Sequence, residues 1–213
     1  MKIRQGFISN SSSSCFIIAL PKEPKDNMEL FHMLFGDAEP NTFIDHKYFP
    51  AVKYIDVVDR IFKDIYNVQY TIVERNDDVL WTLSCQYYFD KHNISCNSRI
   101  GRYCGSDPKL YQTLKEKYFE LNEIISAHYN LLINDVAIIK EKDRQAKCDK
   151  LWKITDKLKY QMAEIDLTRF LEDNPKSFNI MLVYHDNNGD DLEAFIESSG
   201  VFYNLPNITI NRH

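Results

Sequence analysis

Cys15-Phe16-Ile17-Ile18-Ala19-Leu20, stopped by Pro21, is the stretch on which the fold turns. Six apolar residues in succession, rich in aromatic and β-branched types, are too short a run for a helix and suit a buried strand. A buried strand needs neighbours, and the far end of the chain supplies them. After Asn174-Pro175 the pattern has period two, so Phe178 to Tyr184 reads as a strand and Ile208-Thr209-Ile210 as a last short one. If Cys15–Leu20 pairs antiparallel with Phe178–Tyr184, the start of one strand meets the end of the other. Both chain ends then build one sheet.

Between those ends the texture changes several times. Met28, Phe31, Leu34 and Phe35 recur at helical spacing up to Gly36, with Asp26 or Asn27 as cap. A second helix is expected from Pro50, in its first turn, through Val57, Ile61 and Ile65. Val68 to Arg75 alternates, Asn76-Asp77-Asp78 supplies a turn, and Val79 to Phe89 carries Trp81, Leu83, Cys85 and Tyr87 at alternate positions. This pair predicts a hairpin. His92 to Ser106, with Gly101 and Gly105, reads as loop, and Leu192 to Ser199 admits either a strand or a short helix.

The 66 residues between Pro108 and Pro175 contain neither Gly nor Pro. Leu110, Leu114, Tyr118, Leu121, Ile125, Leu132, Val136 and Ile139, then Leu151, Ile154, Leu158, Met162 and Ile165, recur at threes and fours. One straight helix of that length would extend about 100 Å. Two antiparallel helices that bury their stripes against each other are more economical, with the reversal placed in the most polar stretch, Lys140–Lys147. An extended intermolecular coiled coil is the alternative. The predicted class is α+β: a small mixed sheet built from both chain termini with a long antiparallel helical hairpin inserted. Residues 1–106 and 175–213 form the body and 107–174 the arm.

Composition bounds the function. Apolar residues make up 44% and charged residues 27% of 213, which excludes wholesale disorder. A net charge of −5 provides no global field for nucleic acid or anionic lipid, so neither is an expected partner. Five Cys at irregular spacing, after an amino terminus that runs into serines rather than an apolar leader, point to a reducing, cytoplasmic setting.

The two ends also carry a resemblance. Gly6-Phe7-Ile8-Ser9-Asn10-Ser11-Ser12-Ser13-Ser14-Cys15-Phe16 resembles an amino-terminal signature of uncharacterised phage and bacterial proteins, usually Gly-Phe-Val-Ser-Asn followed by five serines and Phe. The closing Asn204-Leu205-Pro206-Asn207-Ile208-Thr209-Ile210-Asn211-Arg212-His213 is similar to a family ending rich in Leu-Pro-His-Ile with a final His pair. The chain departs from that pattern at Cys15, Asn207 and Arg212. The resemblance implies a phage or prophage setting, with host cytoplasm as the location, and supplies no mechanism.

Candidate sites follow from the same reading. Ser11, Ser12, Ser13 and Ser14, hemmed by Phe7-Ile8 and Cys15-Phe16, can offer hydroxyl and amide donors to an anion, against the alternative of a flexible polar lead-in. Antiparallel pairing would set them beside His185, Asp186, Asp190 and Asp191, and the terminal His213 could close the same corner. Asp186, Asp190 and Asp191 are the oxygen ligands that Mg²⁺ or Ca²⁺ would take, although a solvated Asn-Gly turn is the plainer reading and no cofactor is expected. Cys85, His92, Cys96 and Cys104 lack zinc-knuckle spacing. Lys140 to Lys159 holds eight basic against four acidic residues, and Lys147, Lys150, Lys153 and Lys157 are the partner-binding candidates; the plain reading is a solvated face with pairs such as Asp149–Lys153.

No P-loop, dinucleotide fingerprint or nucleophile elbow occurs. The favoured function is therefore a non-enzymatic interaction, assembly or regulatory protein whose hairpin binds itself or a host protein. The alternative is a small enzyme or sensor that takes a phosphate-bearing ligand at the serine–aspartate corner.

Overall fold

The computed structural model describes residues 13–47, 49–66, 70–73, 77–85, 87–89, 94–96, 107–132, 138–185 and 191–212. In chain order the elements are β1 (Ser13–Leu20), α1 (Asn27–Phe35), β2 (Phe43–Ile44), β3 (Val52–Lys53), α2 (Tyr54–Tyr66), β4 (Tyr70–Ile72) and α3 (Asp77–Ser84). They continue with β5 (Tyr87–Phe89), β6 (Ile94–Cys96), α4 (Pro108–Leu132), α5 (Ile138–Asp173), β7 (Phe178–His185), α6 (Asp191–Ser199) and β8 (Asn207–Arg212). The class is α+β.

Strand β1 is central in a four-stranded sheet of order β4-β7-β1-β8. It pairs antiparallel with β7, Phe16 opposite Leu182 and Ile18 opposite Ile180, and antiparallel with β8, Phe16 opposite Thr209. The two chain ends thus share one sheet, as the apolar run at 15–20 predicts. Every described pairing is antiparallel, so the sheet expected to be mixed is uniform. Phe16, Ile18 and Leu20 face a core with Ile180 and Leu182 of β7, Leu30, Phe31 and Leu34 of α1, Val57, Val58, Ile61 and Ile65 of α2, and Phe195 and Ile196 of α6. The alternate residues Cys15, Ile17 and Ala19 are buried too. Burial on both faces is why the strand reads as an unbroken apolar run.

Local chemistry fixes the ends of the elements. Asp26 caps α1 by accepting from Glu29 N–H at 2.8 Å, and Glu29 reaches back to Lys25 N–H at 2.6 Å. Gly36, at φ 61, closes the same helix. Gly200, at φ 72, ends α6, and a Cβ there would meet the Tyr203 ring at 2.6 Å, so the position needs glycine twice over. The buried Asn207 amide then donates to Phe202 O at 2.7 Å and Leu205 O at 2.8 Å, which fixes the turn that delivers β8 to the sheet.

Several expectations need correction. The predicted hairpin over 68–89 does not form. Tyr70–Ile72 pairs with β7, and residues 77–84 are helix α3. Val79 and Leu83 are one turn apart and buried, Asp77 and Asp78 sit in the first turn, and Trp81 is exposed. Both periods fit so short a segment, and the helical one won. The second helix begins at Tyr54 rather than at Pro50, because Val52–Lys53 pairs with Phe43–Ile44. Within the expected loop at 92–106, Ile94–Cys96 is a strand paired with Tyr87–Phe89. The segment at 192–199 resolves as helix α6.

The long Gly/Pro-free stretch carries two helices, α4 and α5, and the reversal is not where the sequence placed it. Lys140–Lys147 lies inside α5, since a polar stretch on a solvated face propagates a helix as well as an apolar one does. Leu114 and Tyr118 of α4 share a small core with Met162 and Leu158 of α5 and Tyr87 of β5, as antiparallel packing requires. Tyr87 also donates its hydroxyl to the buried Asp166 carboxylate.

The described elements fall into two compact units. One contains β1 to β4, α1, α2, β7, α6 and β8. The other contains α3, β5, β6, α4 and α5 as far as Phe170, so residues 77–96 group with the long helices. No helix among the described residues is long and apolar enough to cross a membrane.

Candidate functional site

The strand register brings part of the expected corner together. Ser13 lies opposite His185 on β7 and opposite Arg212 on β8, and Ser14 lies opposite Tyr184 and Asn211. Asp191 opens α6. Ser11, Ser12, Asp186, Asp190 and His213 lie outside the described residues. The end of β1 that carries the serines is therefore flanked by a histidine and an arginine position.

Sequence reasoning missed what continues inward from that corner. Ser14 is fully buried, and its hydroxyl donates to the buried Glu197 carboxylate of α6. One turn earlier on the same helix, buried Glu193 receives Arg60 from α2. Arg60 Nε also faces both oxygens of Asp64 at 3.1 Å, one turn along α2. The buried Tyr184 hydroxyl neighbours Asp64. Two buried polar groupings thus lie at one end of the sheet: Ser14 of β1 with Glu197 of α6, and Arg60 of α2 with Asp64 and Glu193, beside the Tyr184 phenol of β7.

The electrostatics follow from the second grouping. Burial pushes the Asp64 carboxyl above its ordinary value, opposed by the Arg60 charge and hydrogen bond and by smaller effects of Tyr184 and Lys63. Burial and the Asp64 charge both hold the Tyr184 phenol well above its usual range, so it stays protonated. A carboxyl raised in the folded state binds its proton more tightly there than in the unfolded chain. Its stabilising contribution is full below the unfolded value and declines as pH rises through the folded one. Wild-type protein is therefore expected to gain stability, relative to Asp64→Asn, as pH falls from neutral toward the ordinary aspartate range. Denaturant unfolding of both proteins at a series of pH values measures this; identical pH dependence in the two would contradict it.

The other candidate residues distribute as follows. Lys147, Lys150, Lys153 and Lys157 are all exposed on α5. Asp149 accepts from Gln145 at 2.9 Å rather than pairing with Lys153. Among the described residues none of these lysines has an ion-pair partner. Cys85 follows α3 as a half-buried free thiol and Cys96 belongs to β6, while His92 and Cys104 lie outside the described residues. No group of three metal-ligating side chains occurs among the described residues.

Comparison with protein-family models, with curated proteins and with solved structures finds no match. The functional reading therefore rests on the residues themselves. Asp64 could have been noticed in the sequence, because it falls at the edge of the apolar stripe Val57–Ile61–Ile65. Glu193 and Glu197 flank Phe195 and Ile196 in the same way.

Proposed function

We infer that the protein works by binding another chain through its helical hairpin, as a non-enzymatic interaction, assembly or regulatory protein. The phage setting suggested by its two ends, and a cytoplasmic location there, belong to the same proposal. The observation that carries it is the solvent face of α5, where four lysines stand exposed without ion-pair partners while Trp152 on the same helix and Phe119 on α4 are also exposed. A row of unpaired like charges repels itself, so it gains from an acidic partner laid along it.

The alternative, a phosphate-bearing ligand bound with Mg²⁺ at the serine corner, draws support from the register neighbours of Ser13. Ser14, however, already gives its hydroxyl to Glu197, which removes one donor from such a site. The interaction reading is the stronger.

Photo-crosslinking tests it. A benzophenone side chain at exposed Ala146, which leaves every lysine in place, is expected to give covalent products heavier than the 25.2 kDa chain in expressing cells. The same group at exposed Glu23, in the sheet-containing unit, is expected to give none. Equal products at both positions, or none at Ala146, would overturn the reading.

A further inference from the structure

We propose that the partner of the hairpin is a second copy of this chain, joined by an acidic row on α4 to the lysine row on α5. This names the occupant of the face just described and rests on that reading.

Glu116, Glu120 and Glu123 are exposed on α4, on the side away from buried Leu114 and Leu121. Their spacing, four then three, places them in one line along the helix surface. Lys150, Lys153 and Lys157 are exposed on α5 with spacing three then four. In opposite directions the two rows are in step. An α4 laid antiparallel on the α5 of another copy sets Glu123 against Lys150, Glu120 against Lys153 and Glu116 against Lys157 simultaneously. Lys147 continues the basic row by one turn.

Within one copy the rows do not pair with each other. Glu116 accepts only from Gln112 at 3.1 Å, and Glu120 pairs with Lys117 at 3.0 Å, three residues away. Both are exposed local contacts that exchange readily for intermolecular ones. Phe119, 36% exposed and next to the acidic row, gives the lysine stems an apolar surface to cover.

Charge complementarity selects the occupant. Nucleic acid would meet the lysines but also the acidic row and a chain of net charge −5. An unrelated acidic protein would use only the lysine row. A second copy uses both rows, and each copy carries both halves of the contact, so a closed dimer and a head-to-tail assembly both satisfy it. Exposed ion pairs are individually weak, so the association is concentration-dependent and falls with salt.

Light-scattering mass across a concentration series at low salt tests this with three proteins: wild type, a Lys150→Glu/Lys153→Glu/Lys157→Glu variant, and a Glu116→Lys/Glu120→Lys/Glu123→Lys variant. Wild type is expected to rise above 25.2 kDa with concentration and to return toward it at high salt. Each variant alone sets like charges against like and is expected to stay monomeric. Their equimolar mixture restores opposite charges and is expected to associate again, which also shows that both variants are folded. A wild type monomeric at every concentration, or variants that associate as it does, overturns the proposal. If wild type is monomeric while Ala146 crosslinks to some other chain, self-pairing fails and the interaction reading stands. If neither occurs, both fail.

Discussion

Phe16→Ala is expected to cost the sheet-containing unit about 3–5 kcal/mol, the loss typical of a buried phenylalanine that leaves a cavity. Phe16 is buried on the central strand and packs its ring against Tyr184 at 5.9 Å and Phe202 at 5.0 Å. One residue from the start of the chain's described part thus touches two near its end. Phe16→Leu, which conserves most of the volume, is expected to cost less than about 1.5 kcal/mol. Tryptophan fluorescence is the wrong probe, because Trp81 and Trp152 both belong to the helical unit. Amide exchange of Ile17 and Ile18 reports on the sheet directly. Unchanged exchange in Phe16→Ala would show that this strand is not a core element.

The second large effect is at Arg60. Arg60→Met keeps much of the aliphatic stem but leaves Asp64 and Glu193 buried without their guanidinium. Orphaning a buried charge usually costs 3–5 kcal/mol; the Arg60 side chain is 22% exposed, so about 3 kcal/mol is expected. The same change made on an Asp64→Asn/Glu193→Gln background is expected to cost much less, since no charge is then orphaned. A loss below about 1 kcal/mol in the single variant, by the same exchange measurement, would mean that the network is solvated.

How far the sequence revealed this protein depended on whether the determining contacts were local. The run at 15–20 announced a strand because both its faces are buried. The absence of Gly and Pro over 66 residues announced long helices because neither of the residues that most disfavour a helix interior occurs there. Antiparallel pairing of the two ends then placed Ser13 beside His185 without further information. Helix α3 was ambiguous for a physical reason. In 77–84 the buried pair Val79 and Leu83 is spaced four apart, which satisfies a helical turn and also falls on one face of a strand.

The buried network could not be read in the same way. Ser14 and Glu197 are 183 residues apart, Arg60 and Glu193 133 apart. Arg60 and Asp64, four apart on a helix, look in sequence like any solvated pair. Only the fold shows that this pair is turned toward the sheet.

Nuclear Overhauser contacts across β1 test the central claim most directly, that both ends of the chain build one sheet. The register predicts backbone contacts from Ile18 to Ile180 on one side and to Asn207 on the other, with Phe16 reaching Leu182 and Thr209. A spectrum in which residues 13–20 show no contact to 178–185 or 207–212, or contacts in a parallel register, would contradict it.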